Sequence, residues 1–308
     1  MIKAMICEYE YPSFGAGNIY VRCWHPTMEP IGIVQIVHGI AEHTERYDAF
    51  AESLNAIGYL VVAQDHMGHG KSQQPDQPLG YFHGGWFAAV DDTYQLLKDT
   101  ATKYPGIPYI LFGHSMGSFI VRSILGRYPD CAINGCIICG TGWMPDAVLS
   151  TGCNLAKLIC RIRGDQYQSK LLQTMMFGGY NRRIEHPRTP FDWLTRDNSV
   201  VNRYLADPKC GFIPCAGLAR DMLTGLQYIQ TSETLTEMNS DLPVLFISGG
   251  DDPVGDFGAG VKKAADVFQR YGMLNVSVKL YPLCRHEILN ELNRAEIYQD
   301  IINWIREI

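Results

Sequence analysis

The chain has 308 residues and a formal net charge of −6, with 46% hydrophobic and 19% charged residues. This composition is typical of a globular protein with a sizeable core, and the acidic balance excludes an electrostatic surface for nucleic acid or anionic lipid. No stretch approaches the ~18 apolar residues of a membrane span, and Glu8 and Glu10 stop any signal-peptide run. We therefore expect a cytoplasmic protein without stable membrane insertion.

Short apolar runs alternate with longer amphipathic stretches along most of the chain. The apolar runs predict strands at 19–25, 31–39, 59–65, 108–115, 133–141, 242–250 and 275–282. The stretches with helical spacing predict helices at 44–57, 84–104, 116–127, 257–271 and 287–306. Buried strands that alternate with helices predict a mostly parallel sheet covered on both faces.

Residues 142–238 break this alternation, because they show helical patterns and no strand candidate. The stretch is rich in methionine and aromatic residues, namely Trp143, Met144, Met175, Met176, Phe177, Tyr180, Phe191 and Trp193. It lies between two predicted buried strands. We therefore predict a helical insertion at 142–238 within a core formed by 1–141 and 239–308.

The ten cysteines are scattered through apolar stretches, and Cys136 and Cys139 form a CxxC pair. A disulfide framework is typical of small secreted chains, which this chain does not resemble. In a strand, residues three apart point to opposite faces, which argues against a redox or zinc role for this CxxC. We predict free structural thiols.

The motif GHSMG at 113–117 fits the nucleophile pattern GxSxG. That pattern places a serine on a tight turn between a strand and a helix, where small neighbours let the backbone fold closely. Here the apolar run YILF precedes the motif and a stretch with helical spacing follows it. We predict that Ser115 is a nucleophile, which needs a base to remove its proton.

The base and its supporting acid are expected after later strands, in the order serine, acid, histidine. Among nine histidines, only His286 lies beyond the strand that should carry the acid. Asp251 and Asp252 both follow that strand directly, and Asp256 is more distant. Spacing alone does not separate the first two.

An oxyanion hole needs two backbone N–H groups that point at the developing negative charge. One is expected from the residue after the nucleophile, which is Met116. The other is expected in the turn after an early strand, where His38 and Gly39 are followed by Ile40. We predict the amides of Ile40 and Met116 as the two donors.

The combined motifs resemble the monoacylglycerol lipase and lysophospholipase branch of the α/β-hydrolases, often called the serine aminopeptidase-like family. The resemblance covers nearly the whole chain and is carried by HGIAEHTERY at 38–47, DHMGHGKS at 65–72, GHSMG at 113–117, GGDDPVGD at 249–256 and RHEILNE at 285–291. It implies an eight-stranded α/β-hydrolase sheet with a helical cap at 142–238. It also selects Asp252 as the acid, since the family's aspartate directly precedes a pair such as Pro-Val.

We therefore predict an esterase that acts on a small-molecule ester with an acyl chain, through the triad Ser115, Asp252 and His286. No cofactor is expected, and a metal site at Asp65, His66 and His69 is disfavoured because the family uses that loop for hydrogen bonds. The oligomeric state is not predicted. Two alternatives stay open: a ligand-binding homologue without turnover, and an aminopeptidase or amidase. An aminopeptidase needs an acidic group for the substrate amine, for which the candidates are Glu185, Asp192, Asp197 and Asp221.

Overall fold

One eight-stranded sheet runs through residues 5–308, the part of the chain that the computed structural model describes. The strands are β1 Met5–Pro12, β2 Asn18–His25, β3 Gly32–Val37, β4 Tyr59–Gln64, β5 Tyr109–His114, β6 Gly135–Cys139, β7 Val244–Gly249 and β8 Val276–Tyr281. They lie in the order β1-β2-β4-β3-β5-β6-β7-β8. β1 and β2 are antiparallel to their neighbours and the other pairs are parallel. The predicted mostly parallel, eight-stranded sheet is confirmed.

Helices cover both faces of this sheet. They are α1 Asp48–Asn55, α2 Gly85–Lys103, α3 Met116–Arg127, α4 Asp146–Arg163, α5 Lys170–Phe177, α6 Asn198–Ala206, α7 Ala216–Tyr228, α8 Ser232–Glu237, α9 Ala259–Arg270 and α10 Arg294–Glu307. One buried apolar cluster packs the sheet against α2, α3 and α9, and another packs it against α1 and α10. Burial on both faces explains why β3 to β7 are continuous apolar runs.

The two cysteines of the CxxC pair show this two-sided burial. Both are free and buried in β6. Cys136 belongs to the cluster on the α2 and α3 side, whereas Cys139 belongs to the cluster on the α1 and α10 side. The prediction that the two thiols point to opposite faces is confirmed.

The predicted strands agree with the structure to within two residues at each end, but β1 was not predicted. β1 pairs with β2 at the edge of the sheet, and all but one of its residues are exposed. The predicted helix at 287–306 is wrong at its start. Residues Ile288–Asn290 form a short 3₁₀ turn, and α10 begins only at Arg294. The Glu287 N–H donates to the Leu194 carbonyl over 2.7 Å, which ties this backbone to another segment instead of a helix.

Between β6 and β7 the chain forms α4 to α8 and no strand. α4 packs against α7, and a small apolar cluster joins α4, α5 and α7 through Ala156, Cys160, Leu172, Ala216 and Ala219. α7 contacts α2 and α3, and α8 contacts α3. This segment therefore has an apolar cluster of its own and rests on the sheet side that carries α3. No helix within residues 5–308 combines the length and hydropathy that a membrane crossing requires.

Candidate active site

Ser115 lies on the turn between β5 and α3, with φ 53° and ψ −122°. A non-glycine residue rarely adopts a positive φ, and such strain persists only where the surroundings enforce it. The Ser115 N–H donates to the Cys139 carbonyl over 3.0 Å, which fixes the turn to the end of β6. The side chain lines a cavity, so the residue is presented to a ligand as a nucleophile elbow requires.

The two glycines of the motif allow this turn to pack closely. A Cβ atom at position 113 would lie 2.6 Å from the Gly117 carbonyl oxygen, and one at position 117 would collide with the Val37 carbonyl oxygen. Gly39 is similarly confined, because a Cβ there would lie 3.1 Å from the Ser115 Cβ. The first glycine of GxSxG is thus explained by close contact within the elbow, and the second by close contact with the end of β3.

Asp252 follows β7 and His286 follows β8, and the two side chains meet under the cavity. The Nδ1 atom of His286 lies 3.0 Å from each carboxylate oxygen of Asp252, and both residues are buried. Burial by itself raises the pKa of Asp252, but the charge and hydrogen bond of His286 hold it below its ordinary value. An ionised carboxylate only accepts hydrogen bonds, so Nδ1 donates to it, and Nε2 has a free lone pair when the ring carries a single proton.

Further contacts separate Asp252 from its neighbours. Its carboxylate also accepts hydrogen bonds from the Val254 amide at 2.9 Å and the Ser248 hydroxyl at 3.0 Å. Asp251 is exposed, and Asp256 is exposed as well. Of the three sequence candidates, the structure brings only Asp252 to His286.

Ser115 and His286 line the same cavity, but no hydrogen bond within residues 5–308 joins the Ser115 hydroxyl to the imidazole. In ligand-free sites the contact between nucleophile and base is often long and shortens when substrate binds. The glycine at the end of β6 gives the imidazole room, since a Cβ at Gly140 would lie 3.1 Å from His286 Cε1. The arrangement thus places a hydroxyl, a carboxylate and an imidazole after the ends of the parallel strands β5, β7 and β8, with β6 lying between β5 and β7.

Ile40 and Met116 line the same cavity. Neither amide has an acceptor within the described residues, and Met116 is the first residue of α3, where an N–H has no partner in its own helix. Two unpaired N–H groups beside a serine hydroxyl are suited to a developing negative charge.

A buried cluster of charges lies beneath the site, around Glu42. Its carboxylate accepts hydrogen bonds from the Gly39 amide at 2.7 Å and the Arg46 guanidinium at 2.7 Å, and lies 3.1 Å from His114 Nδ1. Burial alone raises the pKa of Glu42, but His114 and Arg46 hold it well below its usual range. Arg46 also binds Glu287, a residue that we did not predict. The sequence shows Glu287 beside His286 but does not reveal a partner 241 positions away.

His114 is the variable residue of GHSMG that precedes Ser115, and its ring faces two acceptors. Nδ1 lies 3.1 Å from the carboxylate of Glu42, and Nε2 lies 3.4 Å from the His286 carbonyl oxygen. Burial lowers the pKa of His114, but the hydrogen bond and charge of Glu42 outweigh this and raise it overall. Only the doubly protonated ring can donate to both groups, so a positive charge on His114 suits this position.

The cavity at Ser115 has a volume of about 290 Å³. Most of its walls are apolar side chains from helices on the sheet and from the segment 142–238, including Phe119, Met176, Phe177, Leu223 and Leu226. Of the methionine and aromatic residues noted in that segment, Trp143 and Met175 do not line the cavity, whereas Met144, Tyr180, Phe191 and Trp193 do. This volume is near the lower end of the range for small-molecule sites, about 300–1,000 Å³.

The structure also bears on metal binding. The Asp65 carboxylate is occupied by two backbone amides, those of Thr44 at 2.8 Å and Lys71 at 2.7 Å. Within residues 5–308 the one group of three potential ligands is His43, Asp207 and Cys210. His43 Nε2 already lies 2.8 Å from Asp207, and burial raises the pKa of the Cys210 thiol, which disfavours the thiolate that a metal binds. We assign no metal to either group.

The sequence model of the family described as "Serine aminopeptidase, S33" matches residues 28–293. The chain belongs to this family. This S33 family member is 37% identical over 298 residues to the "Monoglyceride lipase" of Homo sapiens. The aligned region covers 94% of this chain and 87% of the human protein. It is 29% identical over 318 residues to the "Monoacylglycerol lipase" of Mycolicibacterium smegmatis, with 99% of each chain covered.

A solved structure gives the same result at the level of the fold. The thermostable carboxyl esterase of Bacillus coagulans, solved in complex with glycerol, superposes with a TM-score of 0.91 at 31% identity and covers 98% of each chain. The S33 family member is thus an α/β-hydrolase whose relatives are lipases and esterases. The predicted family and fold are confirmed.

Proposed function

We propose that the chain cleaves carboxylic esters with an acyl chain, as a carboxylesterase of the monoacylglycerol lipase or lysophospholipase type. The observation that carries this proposal is the apolar cavity of about 290 Å³ that has Ser115 and His286 in its wall. An acyl chain fits apolar walls, and its ester carbonyl then lies beside the hydroxyl and the two unpaired amides. The names of the human and mycobacterial relatives support a glycerol ester as substrate.

The proposed reaction proceeds through an acyl-enzyme. Ser115 attacks the ester carbonyl while Nε2 of His286 takes the hydroxyl proton, and Asp252 stabilises the imidazolium. The amides of Ile40 and Met116 stabilise the oxyanion. The alcohol leaves with the proton from His286, and water then hydrolyses the acyl-enzyme by the same steps in reverse. This sequence of steps uses no cofactor.

We also propose that residues 142–238 act as a cap over the core formed by 1–141 and 239–308. Support comes from the cavity walls, to which α5 and α7 contribute Met176, Phe177, Leu223 and Leu226. We propose a cytoplasmic location as well, because all ten cysteines are free, which is typical of a reducing compartment.

The cavity favours an ester over an aminoacyl substrate. None of the four acids considered for an amine, Glu185, Asp192, Asp197 and Asp221, lines it. The two acids that do, Glu42 and Glu287, are bound by the guanidinium of Arg46. No unpaired carboxylate in the described cavity wall is therefore placed to bind a substrate amine.

A fluorophosphonate probe tests the nucleophile. We expect labelling of the wild type, loss of labelling in Ser115→Ala, and normal labelling in the control Ser53→Ala, whose serine lies on α1. Equal labelling of Ser115→Ala, or no labelling of the folded wild type, would contradict the mechanism and favour the ligand-binding alternative.

A substrate panel tests the class of substrate. It contains p-nitrophenyl esters, monoacylglycerols, lysophospholipids and aminoacyl amides, each assayed with wild type and Ser115→Ala. We expect turnover of the acyl esters that depends on Ser115. Turnover of the aminoacyl amides alone would replace the esterase proposal with the aminopeptidase alternative.

A further inference from the structure

Arg46 connects two segments that carry the proposed catalytic groups. It lies in the 3₁₀ turn Thr44–Tyr47 that follows the turn with Ile40. Its Nη1 and Nη2 atoms each donate to one carboxylate oxygen of Glu287 over 2.6 Å, and Nη1 also donates to Glu42 over 2.7 Å. A planar guanidinium that makes parallel bonds to one carboxylate fixes orientation as well as distance.

The Glu42 end of this connection holds the oxyanion turn, which we define as residues 38–42. The oxygen Oε1 of Glu42 accepts the Gly39 amide at 2.7 Å and the Tyr47 hydroxyl at 2.9 Å. Gly39 directly precedes Ile40, the proposed oxyanion donor. A displacement of Glu42 would therefore change where the Ile40 amide points.

The Glu287 end holds the base. Glu287 directly follows His286, and its N–H donates to the Leu194 carbonyl over 2.7 Å. The His286 imidazole also packs against the Trp193 ring, with ring centroids 5.1 Å apart. The backbone at Glu287 is thus held by Leu194. Its side chain is held by Arg46, which lies far away in the sequence.

All three charged side chains are almost fully buried: 11% of the Arg46 side chain is exposed, and 4% each of Glu42 and Glu287. Burial of an ion pair is a weak means of stabilising a fold, because desolvation offsets the attraction and apolar residues of similar volume often stabilise as well. The pair does, however, define a unique separation between the two segments that it joins.

We propose that Arg46 and Glu287 are positioning residues, whose paired contact fixes His286 relative to the oxyanion turn. This inference rests on the proposed function, since it assumes that His286 and the Ile40 amide act on one substrate. Neither residue touches the reacting atoms, and both act through the segments that they join.

The first experiment removes the contact with little change of shape. In Glu287→Gln the charge is lost, and in Arg46→Lys the two parallel bonds are lost while the positive charge is kept. We expect kcat for a p-nitrophenyl ester to fall by about 10- to 100-fold in each variant, because small misplacement of reacting groups has effects of this size. KM should change by less than about twofold, because Arg46 does not line the cavity and glutamine has nearly the size of the glutamate that it replaces at position 287.

A matched control separates positioning from general stability. Glu291 lies in the same loop, is fully buried, pairs with Arg196 at 2.9 Å and accepts the Arg285 amide at 2.9 Å. It supports the loop of His286 as Glu287 does, but has no bond to the oxyanion turn within the described residues. We expect Glu291→Gln to lower the unfolding temperature about as much as Glu287→Gln but kcat by less than about threefold. An equal loss of kcat in both variants would overturn the proposal.

A double-mutant cycle tests the connection itself. If Glu42 and Glu287 act through Arg46, the losses in kcat/KM of Glu42→Gln and Glu287→Gln should not multiply. The double variant should then retain a kcat/KM about fivefold or more above the value calculated by multiplying the two single-variant losses. Multiplicative losses would mean that the two ends act independently, which contradicts the proposal.

Two further measures keep the result decisive. If Glu287→Gln does not fold, the double variant Arg46→Met, Glu287→Leu replaces the ion pair with apolar side chains of similar volume. Wild-type kcat in that double variant would overturn the proposal. The rate of fluorophosphonate labelling at Ser115 is measured in parallel, and should fall with kcat. If no ester were turned over, the proposed substrate class would be wrong, while the labelling rates would still decide the role of Arg46 and Glu287.

Discussion

Lowering the pH from 7.5 to 5.5 should destabilise the folded chain through two buried histidines, His66 and His69. Both rings are fully inaccessible to solvent. Burial lowers the pKa of His66 to about 3 and that of His69 to about 4. Nδ1 of His66 and Nε2 of His69 have no hydrogen-bond partner within residues 5–308, so a proton on either atom would add a buried donor without an acceptor.

The sign and size of the effect follow from proton binding. In the unfolded chain a histidine takes up a proton near pH 6.5. In the folded chain His69 takes up a proton only near pH 4, and His66 only near pH 3. The unfolded state therefore binds more protons between these values, and the free energy of unfolding falls as the pH falls. From pH 7.5 to 5.5 each residue lowers it by about 1.4 kcal/mol, or about 3 kcal/mol together.

Two neighbouring histidines modify the total. The Nε2 atom of His38 accepts a hydrogen bond from the backbone amide of His66 at 3.0 Å. Burial lowers the pKa of His38 well below the usual value, so His38 also makes the fold less stable as the pH falls. His114, with its raised pKa, acts in the opposite direction. A difference between wild type and a single-histidine variant cancels both contributions.

Urea unfolding at pH 7.5 and pH 5.5, followed by tryptophan fluorescence, measures this difference. His69→Phe keeps an aromatic ring between Phe82 and Phe212, whose ring centroids lie 5.7 Å and 5.2 Å from that of His69. The pH-dependent loss of stability should be smaller in His69→Phe than in wild type by about 1.4 kcal/mol. His186→Gln, at an exposed histidine, should match the wild type. An unchanged pH dependence in His69→Phe would refute the assignment of a neutral buried ring.

Three further predictions concern the site. Asp252→Asn should lower kcat by roughly 10⁴-fold, because the amide no longer fixes the imidazole tautomer. The control Asp251→Asn, at an exposed position, should leave kcat nearly unchanged. Steady-state kinetics with a p-nitrophenyl ester compares the two variants. Gly117→Ala should lower the free energy of unfolding by about 2 kcal/mol and impair labelling of Ser115, because the added Cβ collides with the Val37 carbonyl. In the control Gly179→Ala the Cβ meets open space, so this variant should match the wild type in the same urea and labelling assays. Leu223→Trp should shorten the preferred acyl chain. Exclusion of two methylenes costs about 1.6 kcal/mol, which lowers the decanoate-to-butyrate ratio of kcat/KM roughly 15-fold, and Leu158→Trp at an exposed position should keep the wild-type ratio.

The features that the sequence predicts correctly are those with a local or ordered signal. β3 to β7 are continuous apolar runs because both faces are buried, and such runs are visible without any alignment. Ser115 and His286 remain predicted site residues, and they follow from one motif and from the order of strands. Asp252 needed the family resemblance, because Asp251 has the same local context.

The features that were missed depend on contacts between distant parts of the chain. β1 has almost no buried face, so its hydrophobic pattern lacks the signal of a core strand. Glu287 has its partner Arg46 in a segment that only the fold brings near. The cavity-lining residues of 142–238 depend on how each helix is rotated, which is why Met176 lines the cavity and its neighbour Met175 does not. No periodicity in the sequence specifies that rotation.

The backbone bonds from His286 and Glu287 to the carbonyls of Trp193 and Leu194 restrict how this enzyme could be re-engineered. The three strand ends that carry the proposed triad belong to the sheet, so a foreign segment transplanted between β6 and β7 leaves these strands unchanged. The loop with His286 is hydrogen-bonded to the backbone of Trp193 and Leu194. A chimaera that replaces these two positions would therefore lose one contact that holds the imidazole in place. Grafts that retain residues 193–194 and exchange only α4 and α5 should therefore alter substrate choice while they preserve the rate of acylation.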